Sequence, residues 1–174
     1  AGDFISVRDL LNEVEKDSIR FMMLNRSNDM ELDFDFDKIL EKTKDNPVFY
    51  VQYCYARISS IFRSLKINPN ENFTVDKNLV LNNYENRLFR KILDWPKVIE
   101  TASNKFEPHR IPFYLYELAT LFHSYWSKGN ENADYKFIKN DKIRNNYLLL
   151  IIKLVSTTIE NGMSILGVSL PKKM

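Results

Sequence analysis

The chain has 174 residues and a formal net charge of +2, with 44% hydrophobic and 28% charged residues. A chain of this length can bury a core and falls within the usual range for one domain. The small net charge excludes a protein whose whole surface attracts nucleic acid, so any RNA-binding surface must be local. The single cysteine, Cys54, excludes an internal disulfide and favours a reducing compartment such as the cytoplasm.

Helices dominate the predicted elements, because an all-β chain would need far more than the 4 glycines present for its turns. Apolar periodicity and end signals predict helices over residues 7–14, 19–24, 35–44, 47–66, 79–93, 97–105, 110–128 and 141–166. Gly129 is expected to end the helix over 110–128, residues 130–139 to form a polar loop, and Gly162 to bend or interrupt the last helix. The sequence therefore predicts an all-α fold, an antiparallel helical bundle with a looser N-terminal part.

The last helix is expected to be the central, most buried one. Residues 148–152 are apolar all round, which is typical of a helix that packs on every side. Lys153 closes this run far short of the ~20 apolar residues of a membrane span. The first residues have neither a basic start nor an apolar run, so we expect no targeting segment and no membrane partner.

The predicted helix over 47–66 carries two different stripes at helical spacing. The apolar stripe, which is expected to face a core, consists of Val48, Val51, Tyr55, Ile58, Phe62 and Leu65. The second stripe lies two residues out of step, about 200° around the helix, and consists of Tyr50, Tyr53, Arg57, Ser60 and Ser64. Tyrosines and an arginine away from the core can stack on bases and bind phosphate. A second packing face inside the bundle explains the same pattern equally well.

Residues that could carry catalysis are scarce. The sequence has only 2 histidines, no Gly-rich phosphate loop and no metal-ligand spacing, so we expect no catalytic residue, metal site or cofactor. His123 and Trp126 lie beside the apolar stripe of the helix over 110–128. Each could contact an RNA base, although a histidine among aromatic residues is more often a satisfied structural residue, and the indole could simply close the bundle.

Several blocks resemble a known family in order and spacing. Residues 17–24 read Asp-Ser-Ile-Arg-Phe-Met-Met-Leu, and residues 32–35 read Leu-Asp-Phe-Asp. Residues 46–57 read Asn-Pro-Val-Phe-Tyr-Val-Gln-Tyr-Cys-Tyr-Ala-Arg, a later block covers 114–124, and the chain ends in Pro-Lys-Lys-Met. Together these blocks resemble the DALR anticodon-binding domain of class I arginyl-tRNA synthetases. Ser18 and Ile19 replace the family's Ala and Leu, and Trp126 stands where Tyr is usual.

The resemblance implies an organisation in which residues 1–45 join a catalytic core to an anticodon-binding bundle over residues 46–174. The opening Ala-Gly-Asp-Phe resembles the residues that follow the ATP-binding Lys-Met-Ser-Lys loop of these enzymes. It implies a C-terminal piece that lacks the catalytic domain, is not an enzyme by itself and needs no cofactor, whereas the parent uses ATP and L-arginine. The implied partners are arginine tRNA, through its anticodon loop, and the parent catalytic domain, with no role for DNA.

The resemblance also implies the roles of individual residues. Tyr53 and Arg57 match the aromatic and basic residues that touch the anticodon loop in the family. Both lie on the second stripe of the predicted helix over 47–66, which helical periodicity distinguishes from the apolar stripe. With the neighbouring positions, the expected tRNA-binding residues are Tyr50, Tyr53, Arg57, His123, Trp126 and Met174. The alternative function is a helical protein–protein interaction module that presents the same aromatic stripe to a partner helix.

Overall fold

The computed structural model describes residues 7–27, 29–30, 39–74 and 80–174. The α-helices of this part of the chain are α1 (Val7–Glu13), α2 (Lys16–Leu24), α3 (Pro47–Leu65), α4 (Asn83–Leu93), α5 (Trp95–Asn104), α6 (Arg110–Glu131) and α7 (Asn146–Leu166). A 3-10 turn (Ala133–Tyr135) and a pair of antiparallel strands, β1 (Ile138–Lys139) and β2 (Lys142–Ile143), lie between α6 and α7. The predicted all-α helical fold is confirmed.

The main core forms where α3, α4, α6 and α7 pack together. The apolar stripe predicted on α3 is buried there, apart from Leu65, which is half-buried at its edge. The stripe predicted on α6 is also buried, and it consists of Ile111, Leu115, Leu118, Phe122 and Tyr125. The apolar faces of these helices therefore decide how they associate, because burying them is the main favourable term in folding.

Helix α7 is the central helix, as its composition predicts. Leu148, Ile152, Val155, Ile159 and Met163 are all fully buried. Among the described residues it is the one helix long and apolar enough to cross a membrane, but half of its most apolar stretch is buried inside the bundle. A core helix of a folded domain passes the same test of length and composition.

Gly162 does not interrupt α7, so the expected break there is wrong. The helix runs unbroken from Asn146 to Leu166. A Cβ atom built on Gly162 would lie 2.7 Å from Cδ2 of Leu115 on α6. The glycine therefore allows α6 and α7 to approach closely, and Gly167, in the left-handed conformation at φ 68°, ends the helix at the predicted boundary.

The N-terminal helices have a small core of their own. Leu10, Val14, Ile19 and Ile39 form this cluster, with Met22 packed against it. Helix α2 also contributes Phe21 to the main core, so it connects the small cluster to the bundle. The division at residue 45 stays a prediction.

The segment between α6 and α7 differs most from its prediction. A polar loop followed by a helix from residue 141 was expected, but the chain forms a β-hairpin and α7 begins only at Asn146. Asn140 and Asp141 have positive φ values of 51° and 57°, as the central residues of a tight hairpin turn require. Asn145 then caps α7, its side chain accepting a hydrogen bond from the Leu148 amide at 3.0 Å.

Other predicted boundaries also needed correction. Gly129 lies inside α6, which ends at Glu131. The glycine instead leaves room for the chain that follows, since a Cβ there would lie 3.1 Å from the Tyr135 carbonyl oxygen. Residues 41–44 are not helical, since the Asn46 side chain binds the carbonyl oxygens of Ile39 and Glu41. Residues 80–82 precede α4, which a capping box at Asn82 starts. The start of the helix predicted over 35–44 and residue 79 lie outside the described residues.

Candidate nucleic-acid interface

The long helix α3 holds Tyr53 and Arg57 at the edge of the bundle. Asn46 caps the helix, its side chain accepting a hydrogen bond from the Phe49 amide at 3.3 Å, and Pro47 occupies the first turn. Tyr53 and Arg57 are four residues apart, so they lie on the same face. Both are half-buried, whereas Ser60 and Ser64 farther along the stripe are exposed. The second stripe therefore reaches solvent and is not a second packing face enclosed by the bundle.

The Arg57 guanidinium lies between two aromatic rings. Its Cζ atom is 4.3 Å from the centroid of the Tyr53 ring and 4.8 Å from that of the Trp126 ring on α6. Nη2 also donates a hydrogen bond to the Tyr53 hydroxyl. Cation–π contacts of this kind fix the plane of the guanidinium. Among the described residues Arg57 forms no ion pair with a carboxylate, so its charge is not neutralised within this part of the chain.

His123 supports Arg57 from behind. Its Nδ1 atom is 3.2 Å from Nη1 of Arg57, and its Nε2 atom is 3.3 Å from the Tyr50 carbonyl oxygen. Only a neutral ring can accept from the guanidinium at Nδ1 while it donates to a carbonyl from Nε2. Burial, with a smaller contribution from the nearby Arg57 charge, lowers the pKa of His123 to about 4 and keeps the ring neutral. The histidine is only 6% exposed, so its contact with Arg57 lies inside the protein and serves to orient the arginine.

A groove of about 470 Å³ opens in front of Arg57. We call it the aromatic groove; Tyr53, Trp126, Ile138, Met174, Arg57, Arg63 and Lys173 are among its lining residues. No acidic side chain lines it among the described residues. Apolar rings and cationic side chains in one groove can hold a flat, partly apolar group that carries negative charge.

The C-terminal tail forms one wall of the aromatic groove and is held by hydrogen bonds with two helices, α2 and α3. Arg63 of α3 donates to the Lys172 carbonyl oxygen at 2.8 Å, and Gln52 donates to the Ser169 carbonyl oxygen at 3.0 Å. The Asp17 carboxylate of α2 accepts from the Ser169 amide at 2.9 Å and from the Ser169 hydroxyl. These contacts bring Met174, which is 54% exposed, to the groove.

The structure brings four of the predicted residues to the aromatic groove, and these are Tyr53, Arg57, Trp126 and Met174. Tyr50 and His123 lie behind them. The Tyr50 ring packs 4.4 Å from the His123 ring and 5.4 Å from the Tyr116 ring, centroid to centroid, and burial raises the pKa of Tyr50. Neither lines the aromatic groove, although both line a smaller one of about 340 Å³. A direct base contact by these two residues therefore stays a prediction.

The sequence interpretation missed other lining residues of the aromatic groove. Arg63 follows Arg57 by six residues, and Lys173 precedes Met174, so both could have been noticed as nearby cations. Ile138 comes from the hairpin that was predicted to be loop. The Asn140–Asp141 pair, with Ile138 and Ile143 two residues away on either side, was the available signal for that turn.

Comparison with known proteins agrees with the resemblance seen in the sequence. Residues 51–174 match the family described as the DALR anticodon binding domain. The chain belongs to this family. It is 52% identical over 174 residues to the arginine–tRNA ligase of Pelagibacter ubique, with 99% of this chain covered, and 41% identical over 182 residues to that of Methylobacterium nodulans. The DALR chain spans about 30% of the length of these curated relatives.

Solved structures agree with the DALR fold. The protein from Campylobacter jejuni assigned as an arginyl-tRNA synthetase superposes with a TM-score of 0.85 at 29% identity, over 100% of this chain and 37% of that one. Plasmodium falciparum arginyl-tRNA synthetase superposes with a TM-score of 0.72 at 22% identity, over 98% of this chain and 29% of that one. At that identity the second likeness supports the fold alone.

Proposed function

We propose that the aromatic groove holds the anticodon loop of a tRNA. The observation that carries this proposal is the unneutralised Arg57 between the Tyr53 and Trp126 rings, at a groove that is lined by cationic side chains and, among the described residues, by no acidic side chain. A single-stranded loop offers splayed bases that stack on aromatic rings and phosphates that pair with guanidinium groups. Membership of the anticodon-binding family favours this ligand over other anions with aromatic groups.

Each part of the aromatic groove has a task in this proposal. The Arg57 guanidinium, whose plane lies against Tyr53 and Trp126, offers its N–H groups to a phosphate or to the edge of a base, and the neutral His123 holds it in place. Trp126 and Met174 close the groove around the inserted base. Tyr50 and His123 support this surface from behind, and no metal ion or other cofactor takes part.

The wider role follows from the named relatives, which are arginine–tRNA ligases. We propose that this chain positions arginine tRNA for ATP-dependent aminoacylation by the catalytic domain of such a ligase. In this proposal the chain alone does not activate arginine, and it works in the cytoplasm. An assay of arginine-dependent ATP–pyrophosphate exchange with this chain should give no signal, and any signal contradicts that part.

Binding of tRNA tests the groove directly. The 174-residue chain should bind an arginine tRNA transcript weakly, with an affinity that falls as salt is added. Tyr53→Ala should weaken binding by about 1–3 kcal/mol, because the groove loses an aromatic wall and Arg57 loses the ring that orients its guanidinium. Tyr147→Ala is the matched control, since Tyr147 is a half-buried tyrosine of α7 that does not line the aromatic groove.

Footprinting locates the contact on the RNA. Protection confined to the anticodon loop supports the proposal. Absence of protection at low salt contradicts it and favours a protein partner for the same aromatic surface. Circular dichroism of each variant separates lost binding from lost folding, because a variant that has only lost the stack keeps the helicity of the parent.

A further inference from the structure

We infer that a second groove, on the other side of the C-terminal tail, binds phosphates of the tRNA strand that leaves the aromatic groove. This inference rests on the proposed function, since it extends the same RNA beyond the bases held near Arg57. The second groove has a volume of about 600 Å³. We call it the basic groove; its charged lining residues are Arg63, Lys66, Lys153, Lys172 and Glu160.

The excess of positive charge is local to this part of the molecule. The whole chain carries a formal charge of only +2, yet the basic groove is lined by several cations and, among the described residues, by one acid. That acid, Glu160, accepts a hydrogen bond from the Tyr55 hydroxyl at 2.5 Å. In the described part of the chain, neither Lys66 nor Lys153 forms an ion pair with a carboxylate. Their charges are therefore available to an anionic ligand.

Contacts of its ammonium group fix the position of Lys153. Lys153 donates to the Glu71 carbonyl oxygen at 3.2 Å, and its Nζ atom lies 5.5 Å from the centroid of the Phe73 ring. Lys66 has a left-handed backbone, with a φ of 56°, where α3 ends. The basic groove thus has a defined shape, and side chains of Asn68, Asn70, Ser156 and Thr157 add hydrogen-bonding groups to it.

The basic groove continues from the aromatic groove. Arg63 lines both, and the adjacent residues Lys172 and Lys173 line one groove each. The tail therefore separates two parts of a single positively charged surface. A strand whose base lies against Tyr53 and Trp126 can cross the tail at Arg63 and place its next phosphates near Lys66 and Lys153. Contacts of this kind position an RNA without reading its sequence.

If the basic groove binds phosphates, removing its lysines should lower the affinity for tRNA but leave the preference for one anticodon over another unchanged. The double variant Lys66→Ala/Lys153→Ala should bind arginine tRNA roughly threefold to tenfold more weakly at physiological salt. It should weaken the binding of a tRNA with a changed anticodon by the same factor, because phosphates carry no sequence information. The slope of log affinity against log salt should fall by about 0.7 for each phosphate that is no longer neutralised, the value for a single strand.

Matched variants separate a specific groove from general charge. Lys97→Ala is the control. Lys97 is an exposed lysine of α5 and lines neither groove, so this variant should keep the affinity and salt slope of the parent. Lys66→Arg/Lys153→Arg retains the charges and should bind like the parent. Thermal unfolding of the alanine double variant should match that of the parent.

Each outcome decides between this inference and the proposed function. If the alanine double variant keeps the parent's affinity and salt slope while Tyr53→Ala binds weakly, the basic groove does not hold RNA and the aromatic groove still does. If the double variant weakens only the cognate tRNA, its lysines read sequence and the phosphate assignment is wrong. If the parent chain binds no tRNA at low salt, the inference and the proposed function both fail.

Discussion

Arg57 and Arg144 are both arginines packed against aromatic rings, but the structure uses their charges differently. Arg144 lies after β2 and forms an ion pair with Glu85 of α4, whose side chain is 0% exposed. Arg57 contacts the rings of Tyr53 and Trp126 and has a neutral histidine as its hydrogen-bonding partner. A paired charge stabilises the fold, whereas an unpaired charge at a groove is available to a ligand. Substitutions at one arginine site can therefore be compared with substitutions at the other.

The largest effect is expected from the buried Glu85 site. The Glu85 carboxylate accepts hydrogen bonds from Arg144, from the Tyr125 hydroxyl at 2.7 Å and from the Asn82 amide at 2.9 Å. Glu85→Ala leaves the Arg144 charge without its partner, so the free energy of unfolding should fall by about 3–5 kcal/mol. Urea denaturation measures this loss.

An exposed ion pair provides the control for Glu85. Glu117 pairs with Lys91 and its side chain is 62% exposed, so Glu117→Ala should change the free energy of unfolding by no more than about 1 kcal/mol. Equal losses for Glu85→Ala and Glu117→Ala would contradict a structural role for the Arg144 pair.

The burial of His123 beside Arg57 should make stability depend on pH. The pKa of His123 is lowered from 6.5 to about 4 in the folded chain, so the unfolded chain binds its proton more readily. The resulting stabilisation is complete above pH 6.5 and is lost as the pH falls through about 4, up to about 3 kcal/mol. Denaturation of the parent and of His123→Gln across this pH range separates the contribution of the histidine to stability from that of the carboxylates, which titrate in both proteins. Parallel curves for the two proteins would show that the ring is not held neutral.

Substitution of Arg57 should affect ligand binding more than folding. Arg57→Ala should weaken tRNA binding by roughly 10- to 100-fold, and Arg57→Lys should restore little of it, because an ammonium group cannot stack as a plane. The free energy of unfolding should fall by about 1–2 kcal/mol, because Arg57 is half-buried and loses its hydrogen bonds and its cation–π contacts within the bundle. Arg90→Ala, which removes an exposed arginine of α4, is the control and should bind like the parent. Tight binding by Arg57→Ala would show that its charge is not used for the ligand.

The smallest effect is expected where α2 holds the C-terminal tail. Asp17→Ala removes the acceptor of the Ser169 amide and hydroxyl, so the tail and Met174 should be less well ordered. Binding of tRNA should weaken by about 1 kcal/mol. Removal of Met174 should produce a similar loss, and the two changes together should cost less than their sum, because both act through the tail. Additive losses would show that Asp17 acts elsewhere.

The sequence by itself determined the helical fold, the stripes of α3 and α6, and the central place of α7. These follow from local properties, namely apolar periodicity and capping residues. It also placed Tyr53 and Arg57 together, because residues four apart share a helix face whatever surrounds them.

Only the tertiary structure decided what lies around that pair. The hairpin that carries Ile138 depends on a tight turn and on the packing of Phe137 against Trp126, 5.5 Å between ring centroids, so helical periodicity could not reveal it. The position of Met174 depends on contacts of the tail with Asp17, Gln52 and Arg63, which are far away in the sequence. Whether an arginine is neutralised, as Arg144 is by Glu85, likewise depends on distant partners that meet only when the helices pack.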